Sequence, residues 1–111
     1  MTLLRALKDW RATYDPALSV RAKDPVQIGH EDPDYPGWVW CVDQSGLGGW
    51  LPKEILGKTG PTRDFDTREL SVQAGEIVTE QVRYAGWSWC VSASGQQGWV
   101  PRSHLISPTA D

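Results

Sequence analysis

Chemistry in this 111-residue chain would have to come from few residues: two cysteines, two histidines, an acidic run and seven tryptophans. Cys41 and Cys90 lie 49 residues apart, each inside the same surrounding sequence. Residues 37–52 read GWVWCVDQSGLGGWLP and residues 86–101 read GWSWCVSASGQQGWVP, so GWxWCVxxSGxxGWΦP occurs twice without a gap. The chain is therefore two copies of one module. A strand through GWxWCV alternates faces, with Trp38 and Trp40 on one side and Val39 and Cys41 on the other. Each cysteine then faces its own module's core, which predicts two free buried thiols rather than a disulfide. Two cysteines with His30 and His104 far apart in sequence fall short of a zinc ligand set. The run Glu31, Asp32, Asp34 has the composition to bind a cation or steer a basic partner, and reads first as a solvated loop. No nucleophile elbow, glycine-rich phosphate loop or metal-ligand spacing is present, and the chain is expected to be non-enzymatic and to need no cofactor.

The elements that carry these residues read as short strands. Residues 6–10 (ALKDW) and 61–65 (PTRDF) share a basic residue, an Asp and an aromatic, and both predict a first strand entering a loop. Residues 18–22 and 70–74 are strand-like and are followed by turns at Lys23-Asp24-Pro25 and Gly75-Glu76. Val26 with Ile28, and Ile77 with Thr79, resume alternation as further strands. In the first copy residues 29–36 then predict an acidic loop with two prolines. GWxWCV is the next strand, Asp43 to Gly46 and Ser92 to Gly95 supply hairpin turns, and Gly-Trp-Φ-Pro is the return strand. Residues 53–56 and 102–106 fit one helical turn and a last strand.

This order, with its sequence signatures, resembles the Src-homology-3 (SH3) family, and among its members the small bacterial proteins with tandem copies. The "ALYDY" opening is echoed at residues 6–10 and 61–65, and the "ELSF-x-x-GD" segment at residues 69–76. The "WW" and "GW-Φ-P-x-x-Y" signatures are echoed at Trp38 with residues 50–55, and at Trp87 with residues 99–104. The resemblance implies an all-β fold of two tandem five-stranded SH3-like barrels joined by a short linker, with domains at 1–57 and 58–111. It also implies a groove for proline-rich peptides, in which an already extended ligand fits between flat side chains. Carried over residue by residue, that groove comprises Trp10, Trp38, Trp50 and Pro52 in the first copy. In the second it comprises Phe65, Trp87, Trp99 and Pro101, with His104 where the family has its last tyrosine. Lys8, Ile55 and Arg63 stand at the other tyrosine positions.

The function expected is that of a binding or adaptor protein for a peptide or protein, proline-rich or basic in character. The alternative is an assembly protein whose aromatic surfaces are used for packing between modules or self-association. Each half is mildly acidic, six Lys/Arg against eight Asp/Glu up to Gly57 and five against six beyond it, which argues against a nucleic-acid partner. No apolar run approaches the roughly 20 residues that span a bilayer. Lys8 and Asp9 interrupt the apolar start, so no secretory signal is read and the cytoplasm is the expected compartment.

Overall fold

The computed structural model describes residues 2–109. It is all-β, and its short strands follow the apolar alternation of the sequence. In chain order they are β1 (Thr2–Ala6), β2 (Ser19–Val20), β3 (Gln27–Glu31), β4 (Trp38–Val42), β5 (Gly48–Pro52), β6 (Phe65–Asp66), β7 (Ile77–Tyr84), β8 (Trp87–Ser92), β9 (Gln97–Pro101) and β10 (Leu105–Ile106). Single 3₁₀ turns, Lys53–Ile55 and Arg102–His104, follow β5 and β9. They start directly after Pro52 and Pro101, whose fixed φ ends each return strand. β3 departs from expectation, since the strand runs through Gly29, His30 and Glu31, which read as loop.

The chain forms two compact units, and they do not coincide with the sequence repeats. One is continuous, Tyr14–Thr67; the other is split, Met1–Thr13 with Arg68–Asp111. The repeats divide the chain at 1–57 and 58–111, whereas each compact unit takes the opening segment of the other repeat. In the split unit β1 pairs antiparallel with β7 (Leu4 opposite Val78) and with β10 (Ala6 opposite Leu105), and Trp10 bridges to Val72. In the continuous unit β6 pairs with β2, Phe65 opposite Val20, and Pro61 bridges to Leu56. The physical cause lies in the linker. The Gly57 N–H donates to the Gly60 carbonyl at 2.8 Å, so residues 57–60 form a tight turn. Closing so short a loop costs little entropy, and residues 61–66 fold back onto the repeat they follow. Gly60 fits because its Cα lies against the Asp24 carbonyl, where a side chain would collide.

The split unit has one open five-stranded sheet, in the order β10-β1-β7-β8-β9. Its core is Leu4, Ala6, Leu70, Val72, Val78, Cys90 and Val100, with Trp10 and Leu105 packed on the margin. Each large aliphatic side chain buried there contributes on the order of 1.5–3 kcal/mol. The continuous unit has a three-stranded sheet, β3-β4-β5, and the two-stranded β2-β6. Its buried apolar residues are Leu18, Val20, Trp38, Val39, Cys41, Leu51, Ile55 and Phe65. Both cysteines are free and fully buried, as the alternation predicts. Burial pushes the Cys41 thiol up to about 11. Burial and the nearby Glu80 charge push Cys90 up to about 12.

Candidate functional site: two aromatic clusters

In the split unit the exchange of opening segments decides which aromatics meet. Trp10, held by its bridge to Val72, lies edge-on to Trp87 at 5.4 Å between ring centroids and to His104 at 5.2 Å. Its indole Nε1–H donates to Glu69 Oε1 at 3.2 Å, and the Thr13 hydroxyl donates to both Glu69 oxygens at 3.2 and 3.1 Å. Burial raises the Glu69 carboxyl above its ordinary range, partly offset by the Thr13 and Trp10 hydrogen bonds. Burial, and then the positive charge of Lys8, lower the His104 imidazole. An open cleft of about 350 Å³ runs beside Trp10, lined by Asp9, Arg11, Ser71, Gln73 and Gln96 among others. A second of about 480 Å³ adjoins it at Ser71 and Gln96 and is walled by Arg68 and Glu69.

Further along the sheet, Trp99 meets Trp89 edge-on at 5.4 Å and Tyr84 at 6.0 Å. The Arg68 guanidinium sits 5.9 Å from the Trp89 ring, within cation–π range. Trp87 and Trp99 are buried, and Pro101 is fully so, so Trp10 and His104 are the solvent-facing members of the expected groove here.

In the continuous unit Phe65 packs against Trp38 at 6.0 Å. Trp40 and Trp50, directly opposite in the β4–β5 ladder, contact edge-on at 5.1 Å. His30 stands perpendicular to Trp50 at 5.6 Å, and Trp50 Nε1–H donates to the Tyr14 hydroxyl at 3.3 Å. Tyr14 also lies 5.7 Å from Trp40. Trp38 and Pro52 are buried, while Trp40 and Trp50 are half-buried.

The nine expected groove residues thus fall into two groups, with one exchange. Trp10 joins Trp87, Trp99, Pro101 and His104 in the split unit, and Phe65 joins Trp38, Trp50 and Pro52 in the continuous one. Tyr14, His30 and Tyr84 join the aromatic clusters without having been expected there. Tyr14 sits only four residues beyond Trp10, but no signature marks it.

A buried carboxylate was also missed. Glu80 on β7 accepts from Arg83 Nε at 2.8 Å, from Arg102 Nη1 at 2.7 Å and from the Ser88 hydroxyl. Burial opposes its charge, but Ser88 and the two arginines outweigh that and hold the carboxyl below its usual range. In the continuous unit the position corresponding to Arg102 is Lys53, which pairs with Glu31 at 3.3 Å. That carboxylate also accepts from the Gly37 N–H. Among the described residues no group of three or more metal-ligating side chains comes together, and no helix is long and apolar enough to cross a membrane.

Residues 62–106 match the family model described as variant SH3 domain, which supports an SH3-like protein and agrees with the all-β fold. The matched stretch begins in the continuous unit and runs on through the split one. No curated protein and no solved structure matches the chain.

Proposed function

We propose that the protein is a non-enzymatic adaptor with two SH3-like modules, acting in the cytoplasm, and that its split unit binds an extended, proline-rich or basic peptide along Trp10 and His104. The observation that carries this reading is the convergence of Trp10, Trp87 and His104. A half-exposed indole backed by a buried one, with open clefts beside it, is the kind of flat apolar surface on which a polyproline ridge packs at low entropic cost. Glu69, Asp9 and Glu76 line the adjoining clefts and match a basic residue in such a peptide.

Adding a proline-rich peptide library should shift tryptophan emission, and Trp10→Ala should abolish the shift. Trp10 is half-exposed, so its truncation disturbs the core less than loss of Trp87 would. Undiminished binding by that variant would sink the groove reading.

A second reading draws on the burial of Trp38, Trp87 and Trp99 with Pro52 and Pro101. In it the aromatics serve packing and assembly, and the protein works by self-association rather than by capturing a peptide.

A further inference from the structure

The continuous unit lacks a strand that the split unit possesses. β3 is one of the two outer strands of its sheet, all five of its residues are exposed, and among the described residues it pairs with β4 alone. The corresponding strand of the split unit, β7, is covered along its outer edge by β1, with Thr2, Leu3, Leu4 and Arg5 opposite Glu80, Thr79, Val78 and Ile77. The two edges begin alike. The Lys23 N–H donates to the Pro61 carbonyl at 2.8 Å just as the Gly75 N–H donates to the Ala6 carbonyl at 2.8 Å.

There the likeness stops. Ala6 goes on to donate its N–H to the Glu76 carbonyl, but Pro61 has no N–H to give. The residues before it, 57–60, are held in their own turn and supply no strand. Gly60 approaches Asp24 and the Val26 N–H, and beyond them no strand among the described residues pairs with this edge.

Burial records the missing strand. Ile28 sits opposite Cys41 as Glu80 sits opposite Cys90, yet Ile28 is 42% exposed and Glu80 only 9%. Val26 is half-exposed, whereas Val78, two residues before Glu80, is 1% exposed. Natural edge strands are blunted by Lys, Pro or bulges. Residues 26–30 contain no Lys, Pro or acidic residue; Pro25, the bulge between Ile28 and Glu31, and Glu31 itself blunt only the ends of this edge.

We propose that the edge of β3 is a strand-addition site for an extended basic segment of a partner protein. The segment adds antiparallel at the lane β1 fills in the split unit, with apolar side chains at alternate positions over Val26 and Ile28. Charge selects the occupant. The continuous unit has five Lys/Arg against nine Asp/Glu, a net −4, and Glu31, Asp32 and Asp34 cluster at the end of this strand. Two copies pairing β3 to β3 would bring like charges together, so a basic strand fits and a second copy does not. This site is independent of the aromatic groove.

The test uses the ¹⁵N-labelled full chain and a synthetic peptide, TLLRALK, which reproduces residues 2–8 and carries two basic residues. Titration should perturb the amides of residues 26–31. Ile28→Lys, at an exposed position, should keep the native spectrum and weaken binding at least tenfold, and the acidic peptide TLLEALE should produce no shifts. Perturbations confined to β7, or to Trp10 and His104, would overturn the proposal, as would no binding at millimolar peptide. Peptide-free dimerisation that Ile28→Lys abolishes would assign the edge to a second copy and also overturn it.

Discussion

Glu80 is almost completely enclosed, and it keeps its charge because three donors face it. Hydrogen bonds to a charged group are worth about 1.5–3 kcal/mol each, but Arg83 and Arg102 are half-exposed, which discounts their share. Glu80→Gln should therefore cost about 2 kcal/mol of stability at neutral pH. The carboxyl sits below its ordinary 4.5 in the folded chain, so its contribution is fully present above pH 4.5 and is lost as pH falls through the folded value. The gap between wild type and Glu80→Gln in denaturant melts should narrow on acidification; a gap unchanged between pH 7 and pH 3 would refute the ionic account. Nothing in the sequence marked Glu80, because its partners lie 3, 8 and 22 residues away and become neighbours only through the β7–β8 ladder. The cysteines were legible because their burial follows from local alternation alone. Trp10 and Trp87 stand out in the sequence as aromatics of the two signatures, but their contact with each other was not legible there.

At the scale of elements, the hairpins β4–β5 and β8–β9 were readable because their turns and registers are encoded within sixteen contiguous residues. The choice of opening segment was not readable by similarity, since residues 6–10 and 61–65 are near-equivalent in type and either could complete either unit. The signal that could have resolved it is the linker Gly-Lys-Thr-Gly, whose glycines favour a turn over an extended connection. β3 extends into the acidic stretch because Gly29 packs tightly against the Trp40 carbonyl, where a side chain would press at 2.9 Å. The exchanged arrangement makes a sharp prediction for a chain lacking residues 1–13. Amide protection should be lost from residues 68–106, where β1 and Trp10 would be missing, and retained in residues 18–66. Loss confined to residues 18–56 would mean instead that each repeat closes on its own opening.

For the whole molecule, charge is distributed by unit rather than by repeat. The split unit holds six Lys/Arg against five Asp/Glu, a net +1, beside −4 in the continuous one. Division at Gly57 does not show this, because it groups the opening segments differently from the compact units. Attraction of a basic partner to the continuous unit would weaken as salt screens the acidic surface. The adaptor and assembly readings differ in how many tryptophans solvent can reach. Trp10, Trp40, Trp50 and Trp89 are partly exposed, while Trp38, Trp87 and Trp99 are buried. A free adaptor should show iodide quenching of a substantial fraction of emission with a protected remainder, at a sedimentation mass of 12.4 kDa. Near-complete protection in a larger species would favour assembly.

Each unit is completed by the other repeat's opening segment, which places Trp10 beside Trp87 and His104. The most direct measurement is the set of interstrand nuclear Overhauser contacts made by residues 2–6 in the intact protein. These residues should make contacts to residues 77–80 and to Leu105 and Ile106. Contacts to residues 25–28 and Leu56 in their place would contradict the exchange of opening segments.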